Sequence, residues 1–392
     1  MKSRNSVTAF LLTLLVVPVE ASETTNNSTE ASPATHGPEV KVTVGVTDVD
    51  NIFELGQPGL VRLLERDPCN LTNGRLTDMV STSDRILSSR IALEQSVGDL
   101  LGRKATLAGD LTHHGYQDNP AASYADGVVT LTRKVGEEGR LRLRAEVTNN
   151  RFRRNYLADV DDINGNGNIP CSERQYAAGI YDEQEWSIGY RHRLTWQSSE
   201  RDLDIHVSGG VLRREYDQPL QNRDREGWFG QLGMDAEVTP RIAVEVAWRH
   251  DTIDAPGADE TILVDEILDG DVNDDGDTER NAPLVTEVDR SKDRMTLRAE
   301  MTVKVADDWR FTTGYRYQRS DFLSGNVLDI DHFSVVETEE RISASIRWRF
   351  ARRWFATLTL QRTDGEDIDN LGRDQVETEV ERVSFSIRRR LR

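Results

Sequence analysis

After residue 21 the chain has no apolar run long enough to cross a bilayer as a helix, which takes about 20 residues. That excludes a helical membrane bundle. Cysteine is scarce too. Two residues, Cys69 and Cys171, cannot make a disulfide-dense scaffold or a tetrahedral thiolate metal site. Positive charge is short: 49 Lys and Arg against 68 Asp and Glu leave a formal charge of −19. An acidic chain lacks the basic face that nucleic acid requires. No G-x-S-x-G nucleophile motif is present. Helical periodicity is nearly absent as well.

The N-terminus has the three parts of a secretory signal. Lys2 and Arg4 are followed by the apolar run "VTAFLLTLLVV", then by "VEA" ending at Ala21. Residues 1–21 are therefore expected to be removed on export. Residues 22–38, "SETTNNSTEASPATHGP", read as a flexible polar lead segment, and 39–392 as one domain.

Within that domain one pattern recurs: ten to fourteen residues of strict alternation, then a turn. In "EWSIGYRHRLTW", Trp186, Ile188, Tyr190, His192, Leu194 and Trp196 share one face. Glu185, Ser187, Gly189, Arg191, Arg193 and Thr195 share the other. A helix would scatter these residues, whereas a strand sorts them. Leu141, Leu143, Ala145 and Val147 oppose Arg140, Arg142, Arg144 and Glu146 in the same way. These segments exceed the usual soluble strand of about 5–6 residues. They match the length that crosses a bilayer at a tilt. A row of arginines cannot lie in a sandwich core without a large desolvation cost, but it can line a wet lumen.

The connections alternate in length. "GEEG" at 136–139, "TPR" at 239–241 and "ADD" at 306–308 are short, whereas 115–124, 152–183, 216–226, 251–292, 321–337 and 364–377 are long and polar. Thirteen strands follow, from 85–97 to 378–391. An even count with both ends on one side needs one more, and "EVKVTVGVTD" (39–48) supplies it, a small plug being the other reading of that stretch. The expected fold is all-β: a transmembrane antiparallel up-and-down β-barrel of about 14 strands, with short periplasmic turns and long acidic outer loops. In this it resembles the bacterial outer-membrane β-barrels, porin-like in architecture. The resemblance implies residence in the Gram-negative outer membrane among its lipids. The stretch "GYRYQRSDF" (314–322) is similar to barrels that accompany exopolysaccharide export, which implies a polysaccharide or secretion components as partners. One departure is the ending "FSIRRRLR". Such barrels end in an aromatic residue, but here Phe385 is the last one and Arg392 closes the chain.

Four groups of residues carry candidate chemistry. Arg140, Arg142, Arg144, Arg191, Arg193, Arg249, Arg298, Arg316, Arg347 and Arg349 fall on polar faces, with Arg310, Arg382 and Arg388 beside them. They form either a ladder selecting anions or a salt-bridge network with Glu146, Asp204, Asp235, Glu245 and Glu300. The second group is "DINGNGNIPCSE", in which Asp162, Asn164, Asn166, Asn168 and Glu173 hold positions 1, 3, 5, 7 and 12 of a calcium loop. Asp271, Asn273, Asp275 and Asp277 repeat positions 1 to 7, but Ala282 replaces the twelfth ligand. Residues 251–292 hold 14 acids, a concentration that calls for divalent cations such as Ca²⁺ or for open solvent. Third, Cys69 and Cys171 are expected to pair across outer loops in an oxidising compartment. Fourth, the pair His113–His114, with Asp110 or Asp118, is the one place for rim catalysis, and no nucleophile accompanies it. The leading expectation is a channel for small polar or anionic solutes or exported polysaccharide, not an enzyme. A non-conducting docking barrel and a rim hydrolase are the alternatives.

Overall fold

The computed structural model describes residues 37–52, 81–100, 102–160, 174–196, 201–255, 258–265, 281–326, 329, 332–368 and 374–391. Sixteen strands follow in order: β1 Glu39–Val49, β2 Asp84–Leu100, β3 Arg103–Tyr116, β4 Tyr124–Val135, β5 Gly139–Val160, β6 Arg174–Trp196, β7 Arg201–Tyr216 and β8 Arg225–Thr239. The second half is β9 Ile242–Asp254, β10 Ala258–Asp265, β11 Asn281–Val288, β12 Lys292–Ala306, β13 Trp309–Phe322, β14 Val336–Ala351, β15 Trp354–Ile368 and β16 Asp374–Leu391. Fourteen of them close one antiparallel barrel. β10 and β11 form a separate two-stranded sheet within the connection from β9 to β12.

Residues 39–49 are a barrel strand, not a plug. β1 pairs with β2 on one side and β16 on the other, and so closes the cylinder. The last strand keeps its expected phase, with Phe385 opposite Val46 and Leu358. Closure removes the edge that an open sheet would expose.

Three long connections are shorter than the sequence suggests. β5 runs to Val160 and β6 starts at Arg174, so most of 152–183 is hairpin. β15 and β16 likewise extend to Ile368 and from Asp374, and the acidic stretch 251–292 contains β10 and β11. The physical reason is common to all. Above the bilayer both faces of a hairpin are wet, so the alternation that marks a strand disappears while the backbone ladder continues.

The alternation sorts outside from inside. Val44, Val211, Ile342 and Leu360 are 61, 55, 60 and 52% exposed, so the apolar faces point outward. In water such a band would be an aggregation surface. Here it is a lipid belt. Outward positions turn polar at one height near the long connections, at Asp48, Arg85, Arg213, Glu226, Asp293 and Glu340, which marks the belt's upper edge. Trp309 stacks on Trp348 at 5.6 Å, and Phe350 meets Trp354 at 6.2 Å, near the short turns. Trp248 stacks on His250 at 6.2 Å near the other edge. These are the two aromatic girdles of a membrane barrel.

Candidate functional site: the charged lumen

The inward positions are set by strand register, and register places like charges together. Asp204 is opposite Asp235, Asp235 opposite Glu245, and Glu245 opposite Glu300. Four acids thus form a continuous ladder over β7, β8, β9 and β12. On the other flank Arg298 is opposite Arg316, and Arg316 opposite Arg341. Arg310 faces Arg347, and Arg140 faces Arg191. Like charges directly opposed on a sheet destabilise it. A network built only to fill the barrel would alternate signs.

A cavity of about 470 Å³ opens on the basic side. Arg140, Arg142, Arg144, Arg191 and Arg388 line it from β5, β6 and β16, and Lys41 and Arg90 from β1 and β2. Thr43, Thr130 and Thr132 add hydroxyls. Glu39, Glu94 and Asp110 are its acids, and Arg90 holds Asp110 at 2.9 Å. Among the described residues, Arg140 and Arg142 have no ion-pair partner. Lys41 and Arg90 lie on strands whose polar faces hold few arginines, so alternation alone does not single them out.

Above this cavity, one wall is closely packed. Phe229 lies 4% exposed against Gly210, where an added Cβ would fall 2.8 Å from its ring. Arg249 covers the same ring at 3.7 Å and bonds Glu185 at 2.8 Å. Asp251, fully buried, accepts from Arg249 Nε at 2.8 Å and Arg294 Nη2 at 3.1 Å. Just beyond the belt edge, Arg214 Nε donates to Glu183 at 2.7 Å with Tyr181 beneath it at 4.2 Å. Lys292 Nζ donates to Glu337 at 2.7 Å over the face of Phe322. Burial pushes the Lys292 ammonium down to about 8, which Glu337 only partly offsets. Burial also opposes charge on Glu337, but Lys292 outweighs it and holds that carboxyl below its ordinary range.

The arginines expected from sequence therefore divide. Arg144 pairs with Glu146, Arg191 with Asp204 and Asp235, and Arg193 with Asp202 and Asp204. Arg249 pairs as above, and Arg349 holds Asp308 at a short turn. Arg298 and Arg347 have no ion-pair partner among the described residues, and Arg316 donates to Gln318. His114 contacts Asp126 at 3.2 Å and stacks on Tyr124, whereas Asp110 is held by Arg90. Cys69, Cys171, the loop from Asp162 to Glu173 and the run from Asp271 to Asp277 lie outside the described residues. Among the described residues no group of three or more His, Cys, Asp or Glu is arranged to hold a metal.

A closed fourteen-stranded barrel with a lipid-facing belt, a charged interior and alternating short and long connections has the architecture of the bacterial outer-membrane β-barrels. No protein-family model matches the sequence, and no curated protein does. Solved structures of similar fold include the outer membrane channel DcaP of Acinetobacter baumannii, at 10% identity and TM-score 0.41 over 90% of this chain and 96% of that one. Outer-membrane expressed OmpT of Vibrio cholerae is 9% identical, with TM-score 0.39 over 90 and 97%. The TodX monoaromatic hydrocarbon channel is 8% identical, with TM-score 0.45 over 92 and 90%. At these identities the likeness is one of fold alone.

Proposed function

We propose that this barrel is an outer-membrane channel for small polar and anionic solutes, exported to its site by residues 1–21. The supporting observation is the pair Arg140 and Arg142, unpaired among the described residues, on the wall of the 470 Å³ cavity. A guanidinium stays charged at any physiological pH and matches carboxylate or phosphate oxygens with a planar fork. Left without a carboxylate, such a row attracts anions from solution and passes them from one group to the next. A free organic anion and an acidic sugar of an exported polysaccharide meet the same recognition chemistry here. His114, engaged with Asp126 beside Tyr124, has a packing role in this reading, which assigns the chain no catalysis.

A second reading has its own observation. The layer of Arg249, Asp251, Arg294, Glu183 and Arg214 is the kind of interior that stiffens a closed, partner-docking barrel. Planar-bilayer recording of the purified, heat-modifiable barrel separates the two. Discrete conductance steps in potassium chloride are expected from the channel. A folded barrel that inserts and never conducts would leave only the docking role.

A further inference from the structure

Along the row that contains Glu245 and Glu300 the lumen is acidic over four strands, a geometry that a uniformly anion-selective pore does not need. The acids Asp204, Asp235, Glu245 and Glu300 are consecutive across four neighbouring strands. Arg191 contacts Asp204 and sits 2.8 Å from Asp235, which neutralises that end of the ladder. Glu245 and Glu300 have no ion-pair partner among the described residues. The strands that continue the circle from β12 carry Arg310 and Arg347, directly opposed. Further round, Arg388 and then Arg140 and Arg142 face the cavity. Among the described residues, two carboxylates without an ion pair thus share the lumen with Arg310, Arg347, Arg140 and Arg142, which have none either.

Each like-charged neighbour costs stability. Pairing Glu245 with an arginine one strand away would remove that cost, and Arg298 lies one inward step along β12 from Glu300. Among the described residues, neither Glu245 nor Glu300 takes such a partner. Opposed arcs of charge set up a field across the lumen, and low-dielectric walls concentrate it. A transverse field does little for a solute with one charge beyond attracting it to one wall. It orients a solute that carries both signs, with its anionic end to the arginines and its cationic end to Glu245 and Glu300.

We infer that the preferred solutes are zwitterionic, with a carboxylate or phosphate and an ammonium separated by several bonds, as in short peptides. This rests on the channel reading and narrows it. Entry into liposomes is compared for four solutes of similar size: glycylglycine, its N-acetyl form, its amide, and the doubly blocked neutral form. The wild-type barrel admits glycylglycine about threefold faster than the neutral form, and faster than either singly charged one. The double variant Glu245→Gln/Glu300→Gln loses that advantage and favours the N-acetyl anion. Arg310→Gln/Arg347→Gln loses it too and favours the amide. If chloride is conducted but glycylglycine enters no faster than the neutral form, the inference fails and the channel reading stands. A barrel that passes neither chloride nor any peptide overturns both. The wild-type ranking decides the matter even if a double variant does not assemble.

Discussion

Glu245 stands directly opposite Glu300 across the ladder between β9 and β12, both side chains inside the barrel. Opposed like charges on a sheet are unfavourable by roughly 0.2–1 kcal/mol. Glu300→Gln should therefore stabilise the barrel by a few tenths of a kcal/mol while altering solute preference. Urea unfolding of the barrel in lipid vesicles measures the first effect. A loss of stability would show that the acid ladder is structural.

Lys292 and Glu337 give a pH test outside the lipid belt. The folded chain releases the Lys292 proton near 8, whereas an unfolded lysine holds its proton to 10.5. Between these values the unfolded state binds the extra proton, so this group makes stability rise with pH across that window. Lys292→Met should flatten the rise. It should also destabilise the barrel near neutral pH by about 3 kcal/mol, because Glu337 is left charged without its partner. Adding Glu337→Gln should restore part of that loss. Unfolding free energies at pH 7, 8 and 9.5 test the sign.

Gly210 leaves room that the wall requires. An added Cβ would lie 2.1 Å from the Trp186 carbonyl oxygen and 2.8 Å from the Phe229 ring. Backbone cannot yield as a side chain tip can, so Gly210→Ala should lower the yield of heat-modifiable barrel sharply. Phe229→Ala, which opens space instead, should assemble but lose about 3 kcal/mol, since Arg249 loses its platform. Equal yields for Gly210→Ala and wild type would contradict this packing.

The loop from Asp162 to Glu173 we propose to fold around Ca²⁺, with Cys171 bridged to Cys69. Calcium at millimolar levels should slow proteolysis between Val160 and Arg174, and Asp162→Asn/Glu173→Gln should abolish the protection. A shift in gel mobility on reduction, lost in Cys69→Ser, checks the bridge. Unchanged digestion with and without Ca²⁺ would leave a turn-rich linker.

The sequence carried the barrel because a lipid belt enforces alternation on every strand that crosses it. Trp186 to Leu194 shows this plainly, and strand ends agree with expectation best at the short turns. The signal fades where lipid ends, which is why the outer halves of β5 and β6 and the β10–β11 pair read as loops. Charge partners were less legible. Arg193 and Arg249 look like Arg140 in sequence, yet among the described residues they have ion-pair partners and it has none, because pairing depends on which strand lies alongside and in what register. The acid ladder has the same origin: Asp204, Asp235, Glu245 and Glu300 are distant in sequence and adjacent only once four strands are aligned. Phe229 left a faint signal in "GG" at 209–210, which a strand rarely contains without something large lying over it.

In the proposed channel, anions are attracted by arginines that have no ion-pair partner among the described residues. Reversal potential in a tenfold gradient of potassium chloride tests it most directly. Chloride preference is predicted, reduced stepwise in Arg140→Gln and Arg140→Gln/Arg142→Gln. A cation-selective wild-type pore, or a selectivity that ignores both substitutions, would contradict it.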